Sequence, residues 1–229
     1  MDKSISLTGE KYRQLVALRY LNASEQILKG LKRQQGVNDF HFLVTLRSFI
    51  EYTRRGIWFL AWASEKKLSS AEKLTFERSG SPSLVQMDKM VNNALGLGPV
   101  CYLLNKPQGV DEPFLGCLHA LTHGNPISVR MFGIGLTKIF QIDKLAERAE
   151  MELNLFRVLV YRRILGEDLD SIWKMIAPVN NRPDDLKTMA LAAAGELKKA
   201  GLHQAFASTP NPPSLNETDQ TPVHSALSK

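Results

Sequence analysis

Hydrophobic and polar positions follow a helical period along most of this chain, and no stretch carries convincing strand alternation. The strongest pattern runs from Phe40 to Leu68 and puts charges among apolar residues. At about 100° per residue, Phe42, Leu43, Leu46, Phe49, Ile50, Ile57 and Leu60 share one broad face. Arg47, Glu51, Arg54 and Trp58 form a second stripe at i, i+4, i+7 and i+11, with Arg55 beside it. A helix this apolar is buried on more than one side, so its polar stripe is expected to face another part of the protein.

Other helices are read around this one. Thr8 is a candidate cap for a helix over Glu10 to Lys32, which frays at Gly30 and Gly36 before a Gly-Val-Asn-Asp turn. Asn38 or Asp39 then caps the central helix. A short helix is expected from Ser70, broken at Ser79 to Pro82, and an amphipathic one over Ser83 to Leu95. Leu95 to Pro113 is rich in Gly and Pro and reads as loop, with a buried turn at Val100 to Asn105. Asp111-Glu112-Pro113 resembles a first helical turn, leading to a helix that carries Leu115, Leu118 and Leu121 inward and stops at Gly124-Asn125-Pro126. Further helices are expected over Ile127 to Phe140, Asp143 to Leu165, Glu167 to Ile176, and Pro183 to Ala200 with Gly201 as cap. Beyond Ala205 the composition turns to Ser, Thr, Pro and Asn, which predicts a disordered tail over 206–229. The reading is an all-α bundle of about six to eight helices forming a single domain over 1–205.

Composition changes this picture little. A chain of 229 residues can bury a core, and 44% hydrophobic with 23% charged residues is ordinary for a soluble globular protein. A net charge of +6 and a pI near 9.3 make the chain mildly basic, which is read first as solubility and only second as a nucleic-acid surface. Cys101 and Cys117 lie in apolar contexts without Cys-x2-Cys spacing, so buried reduced thiols are expected. The polar N-terminus does not resemble a signal peptide, and the most apolar run, Gly56 to Ala63, is too short to span a bilayer. No membrane association and a cytoplasmic location are therefore expected.

Two clusters could carry chemistry. Walker, dinucleotide-binding, His-Glu-x2-His, Gly-x-Ser-x-Gly and zinc-finger patterns are missing from the sequence. The first cluster is Arg47, Glu51, Arg54 and Arg55. It reads as an ion-pair ladder along a helix, or as surplus positive charge suited to a phosphate. The second is His119, His123, Asn125 and Arg130. A His-x3-His pair can chelate a metal from one helix face, but only Glu51 and Glu112 offer a further ligand, so neither a metal nor a cofactor is expected. His123, at a helix end near Asn125 and Arg130, is a candidate general acid–base, or simply a helix-end cap.

Arg47-x3-Glu51 on a hydrophobic helix, followed about seventy residues later by Thr122-His123-Gly124-Asn125-Pro126, resembles small uncharacterised bacterial proteins. Those proteins are similar to the HEPN superfamily of helical bundles, and the resemblance covers residues 10–165. It implies RNA cleavage or RNA binding in bacterial stress or antiviral (phage) defence, with a site built across a homodimer. The superfamily's ribonuclease signature, an Arg followed after four to six residues by a His on the same helix, is missing; the nearest match is the reversed His123-x6-Arg130. Catalysis would need His123 to meet Arg47 or Arg54 in space. His123 would then serve the attacking 2′-hydroxyl, the arginines would hold the phosphate, and Glu51 would orient one of them. Arg55, His119, Asn125 and Arg130 would complete the binding set. The alternative is a non-catalytic helical module for a partner protein or a nucleotide, with the Arg/Glu/His set as a structural network.

Overall fold

Helix α1 (Gly9–Gln34) and helix α2 (Asp39–Ala61) form a hairpin closed by a four-residue turn. At that turn the Asn38 side chain accepts from the backbone N–H of His41. A computed structural model describes residues 9–64, 66–68, 81–98 and 101–202. Along these, the chain continues through α3 (Leu84–Ala94), a 3₁₀ turn (Tyr102–Leu104), α4 (Phe114–His123), α5 (Pro126–Ile134) and α6 (Leu136–Ile139). It ends with α7 (Ile142–Ile164), α8 (Leu169–Ile176), a 3₁₀ turn (Ala177–Val179) and α9 (Pro183–Lys199). The described residues contain no strand and eight helices of eight residues or more, so the protein is all-α.

Helices α1, α2 and α7 pack against one another, α3 and α4 lean on α2, and α9 covers α7. The expected face of α2 is the centre of the core: Phe42, Leu43, Leu46, Phe49, Ile50, Ile57 and Leu60 are all buried. Each such side chain contributes about 1.5–3 kcal/mol by leaving water. Gly56 sits where helices come closest. A Cβ there would lie 2.3 Å from the Phe156 ring of α7 and 2.7 Å from Cβ of Tyr20 on α1. Only a residue without a side chain lets α1 and α7 approach α2 this closely.

Several boundaries differ from the sequence expectation. Helix α1 runs through Gly30 to Gln34, because Leu28 and Leu31 are buried against the core and override the glycine. Helix α2 ends at Ala61, not Leu68. The N–H groups of Trp62 and Ala63 both bond to the Trp58 carbonyl, and the Trp62 ring stacks on Trp173 of α8. Phe114, not the acidic pair before Pro113, begins α4. The helix expected over Ile127 to Phe140 is broken at Gly135, whose φ of +97° suits glycine and interrupts the helical path. Asp168 caps α8 by accepting from the Ser171 N–H, so that helix begins at Leu169 instead of Glu167. Helix α3 starts at a capping box between Ser83 and Gln86. Both cysteines are buried and free. No helix among the described residues is long and apolar enough to cross a membrane. The expected Thr8 cap, the short helix from Ser70 and the tail over 206–229 lie outside the described residues.

Candidate functional site

The polar stripe of α2 divides into two parts. Arg54 turns into the core, where its Nε donates to Asp88 Oδ1 of α3 at 2.8 Å and its Nη2 to Glu152 Oε1 of α7 at 3.1 Å. The three side chains are 4%, 0% and 6% exposed, so this triad is sealed from solvent. Burial opposes the guanidinium charge, but Glu152 and Asp88 outweigh it and raise the pKa, so Arg54 stays charged. Asp88 also accepts from the Asn92 amide, at 3.2 Å. At the next residue of α2, Arg55 is half-buried and donates through Nε and Nη2 to Glu51 Oε1 at 3.0 and 2.9 Å. Arg47 is half-buried, and its buried Nε has no hydrogen-bond partner among the described residues.

The second predicted cluster sits elsewhere on the surface. His119 and His123 are exposed on α4 with ring centroids 4.3 Å apart. Gly124, in the left-handed region, ends that helix, and the Asn125 side chain caps α5 by accepting from Ile127 N–H at 3.0 Å. Asn125 therefore has a structural task. Arg130 is exposed on α5. Among the described residues no hydrogen bond or ion pair joins His119, His123 or Arg130 to Arg47, Glu51 or Arg54. No group of three or more His, Cys, Asp or Glu side chains there is set to hold a metal.

One concavity near these elements was not signalled by either cluster. It is a groove of about 560 Å³ between the 3₁₀ turn and its following loop, the start of α4, the segment from Lys138 to Gln141, and the first turns of α7. Lys106, Lys138, Lys144 and Arg148 line it, against one acidic side chain, Glu147. The three lysines are exposed and make no ion pair among the described residues. Arg148 lies over Tyr102, its Cζ 3.5 Å from the ring centroid, and its Nε reaches Glu152 Oε1 at 3.3 Å. Burial and the nearby Glu152 carboxylate push the Tyr102 phenol up, so it remains a neutral O–H group.

Beneath the groove is a recess of about 10 Å³ that shares Tyr102, Phe114, Leu145 and Arg148 with it and also touches Glu152. Glu152 links the groove to the sealed triad. Its Oε1 receives both Arg54 and Arg148, while its buried Oε2 has no hydrogen-bond partner among the described residues. Close by, the buried Cys101 thiol is pushed up to about 11 by burial and then by Asp88. In sequence, only the i, i+4 pair Lys144 and Arg148 hints at this site. Lys106 joins it from a loop and Lys138 from the short helix α6, whose paths no periodicity reveals. No protein-family model matches the chain, and neither does any curated protein or solved structure.

Proposed function

We propose that this chain is a non-catalytic, HEPN-like helical module that binds an anionic ligand of the nucleotide class in the lysine-lined groove. The observation that carries the reading is the sealing of Arg54 between Asp88 and Glu152. A phosphate-holding arginine needs N–H groups facing solvent, whereas Arg54 is buried with its charge already paired by two carboxylates. The ribonuclease scheme also needs His123 beside such an arginine, and His123 instead pairs with His119 on an exposed helix face. Arg54, Asp88 and Glu152 then form a structural network holding α2, α3 and α7 together.

Positive charge left without internal partners lies in the groove. Three lysines around one concavity repel one another and favour an anion. Lysine serves phosphate as a mobile point charge, and Arg148 adds a planar guanidinium beside an aromatic ring. Planar ring and phosphate together are the chemistry of a nucleotide.

The test has two arms. Expression of wild type, Arg47→Ala and His123→Ala is followed by growth and by integrity of total RNA, and purified wild type is titrated with ATP in a calorimeter. The expected result is intact RNA in all three strains and saturable ATP binding that weakens as salt rises. RNA cleavage by wild type that is lost in both folded variants would overturn the reading in favour of the ribonuclease.

A further inference from the structure

We infer that the groove selects nucleotides whose base carries an exocyclic amino group, read by the free oxygen of Glu152, with the base lying on the Arg148 guanidinium. This rests on the nucleotide reading of the groove above. Its starting point is the asymmetry of one carboxylate. Glu152 is 5% exposed, Oε1 is bonded by two arginines, and Oε2 by nothing among the described residues. A buried acceptor without a donor is costly, so this atom is poised to take one.

The recess sets the size of that donor. About 10 Å³ admits roughly one water-sized group. Its walls are otherwise apolar: Leu46, Phe49, Ile50, Phe114, Leu145 and Ala149 surround the polar groups of Glu152, Arg148 and Tyr102. Four of its lining residues also line the groove, so the recess adjoins the groove. A single small donor at the tip of a larger groove ligand fits this shape. An ionised carboxylate only accepts, so an amino group is favoured there and a carbonyl oxygen is repelled.

Arg148 supplies the surface for the rest of the base. One face of its guanidinium is taken by the Tyr102 ring, and its side chain, 40% exposed, also lines the groove. A planar base can stack on the free face, as bases do on arginine planes elsewhere. The same arginine touches Glu152, so base stacking and amino recognition occur side by side. Lys106, Lys138 and Lys144 remain for the phosphates.

The experiment is a pair of calorimetric titrations of the full chain, one with ATP and one with ITP, which carries an oxo group where ATP carries the amino group. ATP is expected to bind at least about tenfold more tightly, the effect of one hydrogen bond to a charged acceptor. Equal affinities overturn the assignment and leave the nucleotide reading standing; no binding of either overturns both. Glu152→Gln sharpens the result. The donors Arg54 and Arg148 hold its amide carbonyl in the Oε1 place, so its NH₂ faces the recess and the preference shifts toward ITP. A folded Glu152→Gln that keeps the full preference for ATP would also overturn the assignment. Should that variant fail to fold, the wild-type comparison decides alone.

Discussion

Two arginines on neighbouring helices meet the same carboxylate oxygen and have different environments. Arg54 comes from the core side, is 4% exposed and has a second carboxylate partner in Asp88. Arg148 comes from the groove side, is 40% exposed and has its guanidinium over the Tyr102 ring. What separates them is where the compensating charge lies. Arg54 is neutralised from within, so its charge holds helices together and is not available to a ligand. Around Arg148 the lysines leave positive charge uncompensated, and that surplus faces an open concavity. In the proposed reading the more buried arginine is structural and the more exposed one serves the ligand.

Substitutions separate the two regions, and the largest effect belongs to the sealed side. Arg54→Ala leaves Asp88 and Glu152 buried without their cation, which costs roughly 3–5 kcal/mol in denaturant unfolding. A loss below about 1 kcal/mol would mean the triad is solvated and the contrast false. Gly56→Ala tests the packing that holds α2 against α1 and α7. Its Cβ would meet the Phe156 ring and Tyr20, so a loss of about 1–3 kcal/mol is expected from the same measurement. On the open side, the double variant Lys138→Ala/Lys144→Ala should weaken ATP binding at least about tenfold while its unfolding midpoint stays at the wild-type value. Smaller still is Glu51→Gln, which removes a half-exposed i, i+4 pair worth about 0.3–0.5 kcal/mol. Cys101, its thiol pushed up to about 11, should stay protonated and resist alkylation by iodoacetamide at neutral pH until the protein is unfolded.

The fold was legible where local signals and burial agree. The face from Phe42 to Leu60 is buried as its period implies, and Asn38, Ser83 and the Gly124–Asn125 break sit at helix ends. Boundaries failed where tertiary contacts overrode local ones. Gly30 continues a helix because its neighbours are buried, and Trp62 leaves one because it stacks on Trp173. The candidate site was legible only in half. Arg54 of the stripe does face inward, but its partners Asp88 and Glu152 are 34 and 98 residues away in sequence, and periodicity cannot identify partners across such spans. Helical spacing does place His119 and His123 on one face, yet it says nothing of what that face meets. The groove escaped because four short segments build it and none carries a motif.

The most direct test of this contrast is calorimetric titration of ATP into wild type and into Lys138→Ala/Lys144→Ala at two salt concentrations. Wild type is expected to bind saturably, with affinity that weakens as salt rises, and the variant, which unfolds like wild type, to bind at least tenfold more weakly. Absence of saturable binding by wild type, or equal affinity in the two proteins, would contradict it.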